Sequence, residues 1–316
     1  MSEWNQMTRR LFLAAGLEGM RQLLAAASTP APQSSPGARA YRIDATIVFL
    51  SVPLFTRSNV GSGFARHLLT EGSGARTHVL EFAAGSVPER CEGLNRLGLL
   101  RERVVESGRI LGADYFGFMT ESKEESLHQA RKALGKAPAK SVFVAIQGHT
   151  SPEEVRCRRA QFTAQTRPDT LQWKWLQSLA EAAFNQPGRN VERHSPPPAQ
   201  GAAPATFLFA VLRATRTGGK LTQEYVYGGD RFELRTTNRP DPVTGRRLHA
   251  KGITPDPEKV NLLTAEARNT RTGKRSSFRM WSEDSGTAPL RIEYQPRGFL
   301  VLALEATSAR TPGWPL

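Results

Sequence analysis

No stretch of this 316-residue chain holds about 18 consecutive apolar residues, so it offers no transmembrane helix. Cysteine is scarce. Cys91 and Cys157 stand 66 positions apart, with no C-x-x-C and no Cys/His quartet at zinc spacing, which excludes a structural zinc site and a dithiol redox pair. An exported chain would allow the two cysteines one disulfide, and a cytosolic chain would keep them as small buried thiols. The G-x-x-x-x-G-K-[ST], G-x-G-x-x-G, H-E-x-x-H and G-x-S-x-G patterns are all missing. Six histidines, at 67, 78, 128, 149, 194 and 249, are dispersed. His149 sits between a strand pattern and a helix-capping pattern, where catalytic residues often lie, yet a loop histidine without a partner in view is ordinarily structural. Glu283 and Asp284 are adjacent, so on a strand they point to opposite faces and form no acid/base pair. These gaps point away from an enzyme, and no catalytic residue, metal or cofactor is expected.

Lysine is also rare, nine residues against 34 arginines, while the formal charge is +14. Arginine holds phosphate and carboxylate with a flat two-pronged group, so a polyanion or an anionic lipid surface is a plausible partner. The competing explanation is the codon usage of a GC-rich genome. Basic residues form no run of five and are not interleaved with aromatics, which puts specific nucleic-acid binding last. At 39% hydrophobic and 23% charged, with 15 Phe and 5 Trp, the composition is globular.

Near the start, Arg9 and Arg10 precede a short apolar run from Leu11 to Leu17, and Ala25-Ala26-Ala27 supplies a small-residue cleavage pattern. The string Thr8-Arg9-Arg10-Leu11-Phe12-Leu13 resembles the twin-arginine export motif. That resemblance implies a signal over 1–27 in which Arg9, Arg10, Phe12 and Leu13 address the export machinery and Ala25 and Ala27 frame the cut. It implies a periplasmic or otherwise exported protein. Glu18, Arg21 and Gln22 interrupt the apolar region, and the competing reading is an amphipathic N-terminal helix. Residues 28–40 are rich in Pro, Ser and Ala and read as a flexible spacer.

From 41 to 186 the pattern predicts strands with helices. Ile43, Ala45, Ile47 and Phe49 alternate with polar residues, and HVLEFAAG, DYFGFMT and SVFVAIQG read as further strands. Gly61-Ser62-Gly63 and Gly72-Ser73-Gly74 read as turns, and LNRLGLLRERVVES fits helix or strand. Ser122 to Glu125 and Ser151 to Glu154 carry capping signatures that predict helix starts, with Leu127, Ala130 and Leu134 forming the stripe of the first. A further helix is predicted over 169–185, with Leu171, Trp175, Leu176, Leu179 and Ala183 on one face and Trp173 and Phe184 off it. Residues 187–205 read as a linker or long loop. Over 206–307 seven strand candidates, TFLFAVLRATR the first, follow one another with Gly-rich punctuation suited to hairpins, and 308–316 are a tail.

Trp281, Glu283-Asp284, Pro289-Leu290-Arg291-Ile292-Glu293 and the last apolar strand resemble the end of a family of exported bacterial proteins of unknown function. That family is thought to form an open half-barrel like the periplasmic lipoprotein carriers. The resemblance covers about the last 100 residues. It implies an α+β fold with a curved antiparallel sheet and helices packed on its concave side. Such a groove suits an apolar or anionic lipid-like ligand, for which Tyr225, Tyr227, Phe232, Phe278, Trp281 and Tyr294 are the candidate contacts. Trp281 has the opposite strand parity to Phe278 and Met280, so the set cannot share one face. The alternatives are a structural or interaction module of the envelope whose concave face is filled by its own helices, and an envelope enzyme with a dispersed site. For the enzyme, His149 or His67 near a carboxylate would be the discriminating observation.

Overall fold

A computed structural model describes residues 37–49, 52–72, 74–86, 96–121, 141–164, 171–186, 190–195, 203–283, 288–297 and 300–307. The expected signal residues Arg9, Arg10, Phe12, Leu13, Ala25 and Ala27, the tail 308–316, Cys91 and the helix expected after Ser122 lie outside them. Gly37–Pro315 forms one compact unit. Its strand content far exceeds the α+β balance expected. Fifteen strands make one sheet in the order β8-β7-β6-β5-β4-β3-β2-β1-β15-β14-β13-β12-β11-β10-β9. Seven run upward from the N-terminus as β1 (Ala38–Phe49), β2 (Val52–Gly72), β3 (Ala75–Ser86), β4 (Leu97–Ser107), β5 (Arg109–Thr120), β6 (Ser141–Thr150) and β7 (Val155–Ala164), with β8 (Asn190–Ser195) at the edge. The other arm is β9 (Ala205–Thr206), β10 (Gly219–Tyr227), β11 (Asp230–Pro240), β12 (Val260–Asn269), β13 (Arg275–Glu283), β14 (Arg291–Arg297) and β15 (Leu300–Thr307). Among the described residues all ladders are antiparallel except the short β9–β10 pair, and none joins β8 to β9, so the curved sheet is not closed.

The two arms meet where β1 pairs with β15, from Ala40 opposite Thr307 to Ile47 opposite Leu300. The doubly apolar run of β15 therefore lies in the middle of the sheet, with its second half from Leu304 to Ala306 buried. Hairpins at Gly228-Gly229 and Gly273 use positive φ, which the glycines supply without a Cβ penalty. Strand β1 starts inside the expected spacer. Within the expected linker 187–205, β8 pairs with β7 and Ala203 donates its N–H to the Ile110 carbonyl, so those residues belong to the sheet.

Three helices are present among the described residues: α1 (Leu171–Phe184), α2 (Phe207–Arg216) and α3 (Pro242–Ala250). Helix α2 replaces the strand expected at TFLFAVLRATR. A continuous apolar run does not distinguish strand from buried helix, and here Phe209, Ala210, Val211, Leu212 and Ala214 are buried around most of the circumference. Helix α3 stands where no element is expected, although Asp241-Pro242 is a capping pair, with Asp241 Oδ1 accepting the Thr244 N–H at 3.0 Å. The opposite failure occurs at Ser151, whose Oγ accepts from the N–H groups of Glu153 and Glu154 as a cap would, yet the chain turns into β7. Val155 and Cys157 alternate with exposed Arg156 and pair across to Thr150 and Gly148, which the ladder rewards more than a helix would. Gly61-Ser62-Gly63 is also no turn. It lies in mid-β2, where a Cβ on Gly61 would come 2.5 Å from the Gly85 carbonyl oxygen of β3.

Register fixes which face each helix covers. Phe64, Ala83, Leu99, Phe118, Ala145 and Ala160 stand directly opposite one another across β2 to β7, and Leu176, Ala180, Ala183 and Phe184 of α1 pack on that row. Trp175 is 42% exposed and Phe184 takes its place in the core, a shift from the predicted face. Leu80, Val104 and Ala113 have the opposite parity and join Leu234, Leu263, Ala265 and Met280 of the other arm around α2. Helix α3 covers Leu262 and Trp281, again opposite in parity to Leu263 and Met280. Thus α2 lies on one face, touching both arms, while α1 and α3 lie on the other face; the helices do not share a side as expected.

Candidate functional site

The candidate aromatic set divides as parity demands. Tyr225 stacks on Phe232 at 5.0 Å between centroids, and Phe207 of α2 packs on Tyr225 at 5.4 Å and on Phe278 at 6.1 Å. Tyr227 lies over Tyr115 of the far arm at 6.2 Å, and Tyr294, opposite Phe278 in the ladder, is 39% exposed. These five share the α2 face. Trp281 is on the reverse face, where its Nε1–H donates to Asp241 Oδ2 at 2.8 Å between the guanidinium groups of Arg279 and Arg291. Trp281 thereby ties α3 to the sheet. The same motif's Arg291 bridges Glu293 and Glu305, and Glu283 receives Arg39 and the Thr254 hydroxyl.

What holds α2 against the far arm is a residue that sequence reasoning missed. Glu102 of β4 is fully buried and caps the helix across 104 positions of chain. Its Oε2 accepts the Thr206 hydroxyl at 2.5 Å and the Phe209 N–H at 3.0 Å, while Oε1 accepts the Leu208 N–H at 2.9 Å. Thr206 occupies the N-cap position but makes no cap bond itself; its hydroxyl donates to the carboxylate that does. A negative group at this helix end also complements the positive end of the helix dipole. Burial pushes the Glu102 carboxyl up to about 7, against the pull of the donors from Thr206 and the helix N–H groups.

The histidines that the sequence left scattered acquire partners. His67 Nε2 and His78 Nδ1 are 3.0 Å apart, and His78 Nε2 is 3.0 Å from Glu106 Oε1. With Glu106 accepting, His78 carries its proton on Nε2 and takes the His67 Nε2–H on Nδ1, which leaves His67 Nδ1 as a buried acceptor without a partner. Burial first, then His78 and Arg216, lower the His67 imidazole to about 4. His67 is 5% exposed and His78 fully buried beneath α2, whose Phe209 meets His78 edge-on, while Glu106 at the other end is partly exposed and lines a cleft at the rim. On the reverse face His149 Nδ1 lies 2.8 Å from Asp114 Oδ1, in the paired row Arg103, Asp114, His149, Arg156. The hydrogen bond to Asp114 holds that imidazole above its usual range against the opposing effect of burial. Two residues along the strands on the same face, Glu81 is buried between Arg66 and Arg101, at 2.7 and 2.5 Å from their Nε atoms. None of these partnerships has a sequence signature, because each joins different strands.

Among the described residues no group of three or more His, Cys, Asp and Glu is arranged to hold a metal, and no helix is long and apolar enough to cross a membrane. Two clefts open at the ends of strands, about 370 and 440 Å³, lined by residues such as Glu71, Arg76, Glu106 and Ser107 in the first and Thr215, Asn238 and Asn261 in the second. Both are polar.

No protein-family model matches the chain, and no curated protein does. Among solved structures it is similar to the crystal structure of a β-barrel-like protein of domain of unknown function DUF1849 from Brucella abortus. The identity is 10% and the TM-score 0.37, over 85% of this chain and 95% of that one.

Proposed function

We propose that the chain is a non-catalytic interaction module of the cell envelope whose concave side is filled by its own helix α2. The observation that carries this is the position of Phe207, Phe209, Ala210 and Ala214 on the aromatic face where a ligand would otherwise lie. The ligand reading of Tyr225, Tyr227, Phe232, Phe278 and Tyr294 then requires α2 to leave, and Glu102 opposes that. Export follows from the twin-arginine resemblance, and the excess of arginine suits anionic components of the envelope. An enzyme with a dispersed site is the second reading, favoured by partly exposed His149 beside Asp114, whereas the burial of His67 weighs against the His67, His78 and Glu106 relay as its centre.

The test is to purify the protein from fractionated cells and to combine N-terminal sequencing with native mass spectrometry and lipid extraction. A periplasmic protein starting at Ser28 with its bare polypeptide mass is expected. A stoichiometric lipid would reverse the reading in favour of a carrier, and an intact Met1 in the cytosol would remove the envelope from it.

A further inference from the structure

Helix α2 ends in a basic turn just before β10. Arg213 and Arg216 stand three positions apart on its exposed side, and neither guanidinium has a hydrogen bond or ion pair among the described residues. A cation at a helix C-terminus is ordinarily explained by the dipole and by the open carbonyls of the last turn. Here other side chains already serve that end. The Leu212 and Arg213 oxygens accept the Thr215 and Thr217 hydroxyls at 2.7 and 3.0 Å, and the Thr215 and Thr217 oxygens accept Asn238 Nδ2 of β11 at 2.9 and 3.3 Å. The two guanidinium groups therefore keep their donors free.

Arg216 also lines the cleft of about 440 Å³ at this end. The other hydrogen-bonding walls are neutral, from Thr215, Asn238 and Asn261, and no carboxylate among the described residues lines the space. A Cβ at Gly218 or Gly219 would meet nothing within 4 Å, which leaves that side open. Asn238 carries a further mark. Its Nδ2 is committed to two carbonyl oxygens, so the amide cannot be turned over, and Oδ1 is left as a buried acceptor without a donor. Free guanidinium groups beside neutral amides fit one kind of ligand. Arginine holds a phosphate through paired, charge-assisted N–H bonds, and amide and hydroxyl groups hold the hydroxyls of a sugar. The space is larger than phosphate alone would fill and is that of a small-ligand pocket.

We propose that the end of α2 binds the phosphate monoester of a small polyhydroxylated molecule, with Arg213 and Arg216 on the phosphate and Asn238 and Asn261 on the hydroxyls. This deepens the interaction-module reading, on which it rests for a non-catalytic role, by naming the anionic group. Isothermal titration calorimetry of the full chain at low salt tests it, with glucose 6-phosphate, inorganic phosphate and glucose as probes. Glucose 6-phosphate is expected to bind, inorganic phosphate to bind more weakly and glucose to give no heat. Arg216→Gln should weaken the ester at least about tenfold, the loss of one set of charge-assisted hydrogen bonds, and Arg213→Gln should weaken it as well. Both sites are exposed, so the thermal melts should match wild type. Lys274→Gln removes the same charge beyond the far end of β12 and should change nothing. No binding of glucose 6-phosphate overturns the proposal, as does equal binding by wild type and Arg216→Gln, an equal loss in Lys274→Gln, or inorganic phosphate binding as tightly as the ester. Absence of binding removes this site and leaves the filled-face reading to its own test, whereas a stoichiometric lipid on the inner face removes that reading and leaves the cleft.

Discussion

Glu102→Ala is expected to destabilise the fold by about 3 kcal/mol or more, measured by denaturant unfolding. The substitution leaves the Thr206 hydroxyl and the Leu208 and Phe209 N–H groups buried without their acceptor. Each orphaned donor costs about 1–3 kcal/mol, partly offset because a buried carboxylate is also removed. Helix α2 should loosen first, since its remaining ties to β3, β4 and β5 are apolar contacts around Leu80, Val104 and Ala113. Glu102→Gln keeps the shape and one acceptor oxygen but brings an NH₂ toward the same donors, so it should lose less.

The same residue sets a pH dependence. Its folded carboxyl is raised to about 7 from the ordinary 4.5, so the folded chain holds a proton that the unfolded chain has released between those values. Stability from this group is complete below the lower value and is lost as pH rises through the upper one. Unfolding curves at about pH 4.5 and about pH 8 should differ more for wild type than for Glu102→Gln. An unchanged difference would mean that Glu102 is not the titrating group.

Gly148→Ala is expected to cost about 2–3 kcal/mol, the range for forcing extra volume into a packed interior. A Cβ there would come within 2.0 Å of Tyr115 Cζ, because the tyrosine ring lies flat across the glycine in the neighbouring strand. Tyr115 has nowhere simple to go, being buried against Ile146, Cys157 and Tyr227. Combining Gly148→Ala with Tyr115→Ala should cost less than the sum of the two, since the first change then meets an empty space. Additive losses would show that the ring is not what excludes the methyl group.

Much of the sheet was legible because hairpins are local. LTQEYVY and FELRTT form one hairpin at Gly228-Gly229, and VNLLTAEARNT and SSFRMWSE another at Gly273, where the alternation and the Gly residues placed them. TFLFAVLRATR failed because what makes it a helix is remote: its cap is supplied from β4, and both arms bury it. Ser151 failed the other way, its local hydrogen bonds being equally at home in a turn whose following residues find a strand partner. The parity argument that separated Trp281 from Phe278 was sound, whereas the histidine relay and the Glu102 latch join strands that only the ladder aligns. The Arg66, Glu81, Arg101 group was equally hidden, since its members occupy three strands and meet only in register.

The central claim is that α2 is a fixed part of the interior, and hydrogen exchange at the amides of Phe209 to Ala214 tests it most directly. The account predicts exchange as slow as in the central strands β1 and β15, through global unfolding only, and slow exchange that persists when lipid is added. Exchange as fast as at the exposed Gly228-Gly229 turn would contradict it and reopen the inner face as a binding groove.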